Sequence, residues 1–358
     1  MNVKRSALSL VLVLASGCAW SSGEDVAKVG LRADTPLPAR RGIVVVDGCG
    51  VDPWQRATLA SPAAKKVLQE VVMLCLVPRT DGSLGPRDPS AQKAIADTAA
   101  DLKRDGYRFV LAIAFTDETG ARYDGAQTRA FLADPAWRSQ LRSTLATQML
   151  PADGVALDIQ SLPNDARGDV TALVAELAGL VRPARSLDVF VPPSVTVPSD
   201  LAGGDAFALP DLAPHVDRFH VSTLDYSTDA PGPTIDTGWA TDAVRLALGS
   251  SRNVDVSFPL YGTDFGPRGH RSVTYLEATA VAQVASAPIV RSPSGALSVA
   301  WTSPEGEPHA TWFDDAESTA RGLGAWSYDV LPAEVGVVFY GLGAEDPNLW
   351  VRLAARMP

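Results

Sequence analysis

The sequence is poor in the residues that build metal centres. Its 358 residues include only three cysteines and four histidines. It contains neither a Cys-x-x-Cys pair nor a His-Glu-x-x-His run, the spacings that hold zinc in common zinc sites. We therefore find no zinc signature, and we expect neither a metal nor another cofactor.

Basic residues are also in short supply. Thirty-one Lys and Arg stand against 41 Asp and Glu, which gives a formal net charge of −10. Without a basic face the protein cannot displace counterions from phosphates, so a nucleic-acid partner is excluded. At 46% hydrophobic and 20% charged residues, the composition is that of an ordinary globular protein rather than a disordered chain or a multi-span membrane protein.

The N-terminal apolar stretch is short. Ala7–Leu14 follows the basic Lys4 and Arg5, and small residues then lead up to Cys18. This pattern is typical of a secretory signal. The stretch cannot cross ~30 Å of hydrocarbon, for which a helix needs about 20 residues.

The small residues before Cys18 resemble the lipobox of bacterial lipoproteins, although Ala15 stands where Leu is commoner. The resemblance implies a signal peptide over residues 1–17, lipid on Cys18 and a membrane-anchored tether over residues 18–41. It also implies an extracytoplasmic location, and Ala19, which is not an Asp-type retention signal, favours the outer membrane. An ordinary cleaved signal is the alternative.

Two cysteines remain, Cys49 and Cys75. Each lies at or just after a predicted strand, and an extracytoplasmic compartment would allow them to pair. A disulfide and two buried free thiols both remain open on the sequence.

Short apolar, β-branched runs alternate with helical stretches from Gly42 onward. The eight runs are Ile43–Val46, Val71–Val77, Phe109–Phe115, Val155–Ile159, Leu187–Val191, Phe219–Leu224, Val254–Leu260 and Val335–Tyr340. Continuous apolar strands separated by helices predict parallel pairing with both faces covered. Eight of them predict an α/β fold, a (β/α)8 TIM barrel over residues 42–358, since such barrels take roughly 250 residues before insertions.

One interval is too long for a simple crossover. Between the seventh run and the last helix, Ile289–Arg291 and Leu297–Thr302 flank the turn-like Ser292–Gly295. We expect a small α+β insertion over about residues 263–313, between the seventh and eighth barrel strands, with a hairpin at its centre.

The fourth run carries a family resemblance. Asp153-Gly154-Val155-Ala156-Leu157-Asp158-Ile159-Gln160 resembles the DxxDxDxE signature of glycoside hydrolase family 18, the chitinases and spore-cortex-lytic N-acetylglucosaminidases. Other segments resemble the family in the same order: Phe131–Pro135, Thr223–Asp225 with Pro231-Gly232-Pro233, Phe258–Gly262, Thr311–Ser318 and Gly341–Trp350. The similarity runs from about Gly42 to Trp350.

The resemblance implies a substrate-assisted hydrolysis that this chain cannot perform in the usual way. In the family one carboxylic acid protonates the glycosidic oxygen while the substrate's own N-acetyl group attacks, and the acid's position here is Gln160. The middle aspartate of the signature is Ala156, and Leu224 stands where the family has a tyrosine. Loss of a general acid typically costs ~10²–10⁴-fold in rate, so we expect hydrolysis to be absent or vestigial.

The resemblance also nominates the site residues. The degenerate catalytic row comprises Asp158, Gln160 and Asp225. The residues expected to bind substrate are Asp153, Tyr226, Tyr261 and Tyr340. The rings of the three tyrosines suit the apolar face of a sugar.

Three functions compete on the sequence. The first is a catalytically degenerate, lipid-anchored barrel that binds an N-acetylglucosamine-containing glycan, such as peptidoglycan or a chitin-like polymer. The second is an active glycosidase that takes its acid from Glu118, Asp47 or Asp52. The third is a structural or protein-interaction lipoprotein whose barrel is plugged.

Overall fold

The structure is a computed structural model that describes residues 36–117, 123–195 and 204–358. The predicted signal peptide, Cys18 and most of the predicted tether lie outside these residues, as does Glu118. Over the described ranges, none of the helices combines the length and the apolar character needed to cross a membrane.

The secondary structure alternates as the sequence predicts. The strands are β1 Gly42–Asp47, β2 Glu70–Pro78, β3 Leu84–Pro86, β4 Arg108–Ala114, β5 Gly154–Asp158, β6 Ser186–Val191, β7 Arg218–Val221, β8 Val254–Pro259, β9 Gly262–Gly266, β10 Gly269–Val273, β11 Val290–Arg291, β12 Leu297–Thr302, β13 Pro308–Phe313 and β14 Gly336–Tyr340. The helices are α1 Pro53–Ala60, α2 Pro62–Val67, α3 Gln92–Arg104, α4 Gly125–Ala133, α5 Pro135–Gln148, α6 Arg167–Val181, α7 Leu209–Leu212, α8 Thr237–Leu248, α9 Tyr275–Val284, α10 Ala316–Ala325 and α11 Leu349–Arg356.

Eight parallel strands close into a barrel. Their order is β1, β2, β4, β5, β6, β7, β8 and β14, and β14 pairs back with β1. Each of the eight predicted runs forms one of these strands, so the predicted (β/α)8 barrel is confirmed. The short β3 adds to β2 in antiparallel fashion outside the closed ring.

Two apolar layers hold the barrel together. One large cluster lies between the strands and the surrounding helices. A smaller cluster fills the barrel interior, because alternate strand residues point inward. Its members are Ile43, Val45, Val72, Leu74, Val110, Ala112, Ala114, Ala156, Phe190 and Val338. The barrel centre is therefore a packed core, and polar chemistry is confined to its two ends.

The predicted insertion is present between β8 and β14. Its strands form a second, antiparallel sheet in the order β10-β9-β13-β12-β11. The hairpin expected at its centre is β11–β12. Helix α9 begins with a capping box, in which Thr274 and Glu277 satisfy each other's backbone N–H groups, and packs on the sheet through Ala278 and Ala282.

A disulfide joins Cys49, just after β1, to Cys75 within β2. Of the two alternatives left open by the sequence, the structure has the bridge. It ties together the neighbouring strands β1 and β2, near their carboxyl ends.

Candidate functional site

We call the carboxyl-terminal end of the barrel the mouth, and its central residues are Tyr123, Asp158, Gln160, Asp225, Tyr261 and Tyr340. In barrels of this type the carboxyl ends of the strands and the loops that follow them carry the functional side chains.

Asp158 is the last residue of β5 and is only 1% exposed. The hydroxyl of Tyr123 donates to its Oδ2, and Nε2 of Gln160 donates to its Oδ1 over 3.0 Å. Burial raises the pKa of the Asp158 carboxyl, and the two hydrogen bonds oppose that rise. The carboxylate is thus held by neutral donors in place of a cation.

Gln160 lies two residues beyond Asp158 and stays partly exposed. Its amide faces the aspartate where the sequence resemblance places a carboxylic acid. An amide donates a hydrogen bond but has no proton to transfer to a leaving group. The pair therefore offers hydrogen-bonding groups that can orient a ligand oxygen.

Asp225 and Tyr261 form a second polar pair. Tyr261 follows β8, and its hydroxyl donates to Oδ1 of Asp225 over 2.8 Å. Asp225 takes a left-handed backbone conformation with φ of 54°, which aspartate tolerates better than most residues. Burial and the adjacent Asp225 charge raise the pKa of Tyr261, so its hydroxyl remains a donor.

Tyr340 ends β14 and covers the inner core. Its ring meets Phe190 edge-on, with centroids 6.3 Å apart. Burial, and after it the charge of Asp158, raises the pKa of the Tyr340 hydroxyl. Tyr261 and Tyr340 are both partly exposed, so both offer aromatic surface at the mouth.

Two predicted binding residues do not fit that role. Asp153 precedes β5 and so lies at the opposite end of the barrel, ~16 Å from Asp158 at about 3.3 Å per strand residue. There it accepts from the backbone N–H of Phe109 and pairs with Lys103 at 2.9 Å. The substrate-binding prediction for Asp153 is wrong, because the first aspartate of the signature starts the strand and the last one ends it.

Tyr226 is adjacent to Asp225 in sequence but faces outward. Its ring lies 5.3 Å from that of Trp239 on α8 and packs against the core between strands and helices. This contact is the core packing that strand aromatics commonly make, and it does not favour a role in sugar binding.

The apolar substitutions in the family pattern are buried. Ala156 has no exposure and belongs to the inner core, and Leu224 is 5% exposed. The signature has carboxylic acids at positions 156, 158 and 160. In this chain only Asp158 brings a carboxylate from these positions to the mouth.

Tyr123 was not predicted from the sequence. Tyr123 pairs with Thr116, just after β4, in an isolated antiparallel bridge, and its hydroxyl donates to Asp158. A single tyrosine far from any strand end gives no sequence signal. Arg87 was not predicted from the sequence either. It pairs with Asp47 at 2.6 Å at the end of β1.

Within the parts of the chain that the structure describes, side chains with metal-ligand spacing cluster away from the mouth. The group is Glu70, Asp188 and His220, all buried. These residues lie in or at the beginning of β2, β6 and β7, at the amino-terminal end of the barrel, which we call the floor.

The fold is that of family 18 chitinases. The Bacillus cereus spore cortex-lytic enzyme SleL matches with a TM-score of 0.74 and 15% identity, over 90% of this chain and 75% of that one. The Chromobacterium violaceum chitinase matches at 0.70 and 18%, over 88% and 98%. The Cycas revoluta GH18 chitinase, solved with (GlcNAc)3, matches at 0.68 and 12%, over 88% and 98%. No protein-family model matches the sequence, and no curated protein matches it significantly.

Proposed function

We propose that this protein is a family 18-like barrel that binds an N-acetylglucosamine-containing glycan at its mouth without hydrolysing it. One observation carries the proposal: the Gln160 amide occupies the acid position and donates to Asp158 over 3.0 Å. The site thereby keeps a hydrogen-bonded pair of the right shape while it loses the transferable proton.

The surroundings of this pair support binding of a neutral polar ligand. Tyr261 and Tyr340 present partly exposed rings, and Asp225 and Asp158 each hold a neutral hydroxyl donor. Aromatic faces pack on the apolar faces of pyranose rings, and the hydroxyls and amide match sugar oxygens. One structural neighbour of this fold is a chitinase solved with (GlcNAc)3.

The active-glycosidase alternative needs an acid, and two candidates are otherwise engaged. Asp52 caps α1, accepting from the backbone N–H of Gln55 over 2.7 Å. Asp47 is paired with Arg87 and 61% exposed. Both carboxylates therefore already have partners other than a substrate oxygen.

Calorimetric titration of the full chain with chitooligosaccharides and muropeptides tests binding. We expect a saturable heat with at least one of them and no release of reducing ends. Asp158→Ala should abolish the heat, because it removes the acceptor that orients Gln160. Absence of heat with every ligand, in a folded sample, contradicts the proposal and favours the plugged barrel.

A gain-of-function variant tests the missing acid. Gln160→Glu combined with Leu224→Tyr restores the two family positions nearest to the chemistry, and Ala156→Asp can be added. Measurable release of reducing ends would show that only the chemistry was lost. The matched control is Gln283→Glu, which makes the same charge change on the exposed side of α9. Turnover by the wild-type chain that Asp158→Ala abolishes would instead favour the active enzyme.

We also propose that lipid on Cys18 anchors the protein to the cell envelope, with the outer membrane favoured. The basic, apolar and small-residue segments before Cys18 support this proposal. Incorporation of labelled fatty acid into the wild-type chain, lost in Cys18→Ala, is the expected result. Equal release of both chains as soluble protein would indicate an ordinary cleaved signal.

A further inference from the structure

Three ligand-bearing side chains converge at the barrel floor. Glu70 begins β2, Asp188 lies on β6 and His220 lies on β7, and one ligand atom of each lies within 4.8 Å of the others. Their residues are 2%, 0% and 0% exposed. They are distant in sequence, and inward-pointing positions of separate strands bring them together.

Glu70 and Asp188 each have one carboxylate oxygen with a hydrogen-bond partner and one without. Oε2 of Glu70 accepts from Arg108 and Arg218, and Oδ2 of Asp188 accepts from Ser186 over 3.2 Å. Oε1 of Glu70 and Oδ1 of Asp188 have no hydrogen-bond partner.

His220 contacts two neighbouring side chains, Asp255 and Phe190. Its Nδ1 lies 3.0 Å from Oδ2 of Asp255, and its ring packs on Phe190 with centroids 4.7 Å apart. Neither ring nitrogen of His220 has a hydrogen-bond partner, and neither does Oδ2 of Asp255, so the 3.0 Å approach is a close contact rather than a well-directed hydrogen bond. A carboxylate beside one ring nitrogen is the arrangement that prepares the other nitrogen to bind a metal.

The unpartnered atoms need positive charge. A buried polar atom without a partner costs about 1–3 kcal/mol, and an ionised one costs more. Nε2 of His220 is a third buried atom without a partner, beside the two carboxylate oxygens. A water molecule has two hydrogens for three acceptors, whereas one cation satisfies all three.

We propose that Glu70, Asp188 and His220 form a site for a single divalent cation of the zinc class. One imidazole nitrogen with two carboxylate oxygens suits such ions better than magnesium or calcium, which favour oxygen alone. Tetrahedral zinc bonds of about 2.0–2.2 Å place ligand atoms roughly 3.4 Å apart, so ligand atoms that are up to 4.8 Å apart must draw together by about 1 Å when the ion binds.

The charged side chains around the site determine how tightly it is expected to bind a divalent cation. Arg41 pairs with Asp255, and Arg108 pairs with Glu70. Arg218 lies near the carboxylates of both Glu70 and Asp255. These arginines already offset much of the negative charge, so the cation binds less tightly than it would among unpaired carboxylates. The site is therefore expected to fill on titration and to lose its ion to a chelator.

The test uses the full chain, stripped with EDTA and titrated separately with ZnCl2, MnCl2 and MgCl2. We expect one zinc per chain by elemental analysis after gel filtration, with a higher Tm in zinc. Manganese should bind more weakly, as the usual order of divalent affinities requires, and magnesium least. Asp188→Asn should weaken zinc binding by at least the ~10–100-fold typical of losing an outer partner of a metal ligand.

The control is His270→Gln, which removes an exposed imidazole on β10 and should leave one zinc bound. His220→Gln should lose it, and if that variant does not fold, Asp188→Asn decides. The proposal is overturned if wild-type protein retains no zinc and melts identically with EDTA, because water or a shared proton then satisfies these atoms. Zinc retained equally by wild type and Asp188→Asn overturns it as well.

Discussion

At the mouth, Asp158 is buried beneath the Tyr123 hydroxyl and the Gln160 amide, whereas at the floor Asp255 is buried among Arg41, Arg218 and His220. Burial raises the pKa of Asp158 overall. At Asp255 burial also acts to raise the pKa, but the close contact with His220 and the charges of Arg41 and Arg218 outweigh it, and the pKa is lowered.

The difference separates a part of the molecule suited to ligands from a part suited to holding the fold. Neutral donors around Asp158 can be exchanged for the hydroxyls of a neutral ligand at little electrostatic cost. The charged partners around Asp255 cannot be exchanged, because loss of one charge leaves another buried without compensation. The packed inner core lies between the two ends.

Asp255→Ala is expected to cause the largest loss of stability, about 3–5 kcal/mol, the range for breaking a buried ion pair. It removes the partner of Arg41 and the acceptor of the Gly336 N–H. Urea denaturation measures the change. Asp47→Ala is the matched control at the mouth end, where the exposed pair with Arg87 contributes less than about 1 kcal/mol. Equal losses of stability in Asp255→Ala and Asp47→Ala would contradict the difference between the floor and the mouth.

Removal of the disulfide should cost somewhat less. Cys49 and Cys75 are 26 residues apart, and a closed loop of that size contributes about 3 kcal/mol through the unfolded chain. We expect the double variant Cys49→Ala/Cys75→Ala to lose this amount in urea denaturation. Reductant should destabilise the wild type similarly and leave the double variant unaffected; a wild type insensitive to reductant contradicts the prediction.

The pH dependence of stability should reveal the raised pKa of Asp158. Since the folded pKa exceeds the unfolded one, its contribution is complete at low pH and is lost as pH rises from about 4 through the folded pKa. Asp158→Asn should remove this part of the decline, because an amide does not titrate. Denaturation of both chains from pH 4 to 8 measures it, and parallel curves would show that Asp158 is ionised throughout.

The smallest effect is expected from Tyr261→Phe. The variant loses one hydrogen bond to Asp225 and should destabilise the protein by about 1 kcal/mol while weakening glycan binding. Tyr328→Phe is the control, since its hydroxyl bonds at the exposed surface. A loss of stability with unchanged binding would place Tyr261 in the scaffold only.

The sequence predicted the barrel and its insertion because both depend on local pattern. Apolar runs such as Phe109–Phe115 are long enough to be read as buried strands, and turn residues such as Ser292–Gly295 mark the hairpin. Asp158 and Gln160 were placed at one strand end by the same alternation. The same pattern puts Asp153 before the run Val155–Ile159, and the family motif alone suggested a binding role for it, because a motif does not state which end of a strand each residue occupies.

The sequence by itself determined the order of the elements, the apolar core and the absence of a carboxylic acid at position 160. Those are properties of each residue and its near neighbours. Only the tertiary structure decided that Tyr123 closes over Asp158, and that Glu70, Asp188 and His220 meet at the floor. Closure of the barrel causes the second contact, since it brings alternate residues of distant strands into one interior at separations that no sequence spacing records. The first depends on the bridge between Thr116 and Tyr123, outside the barrel strands.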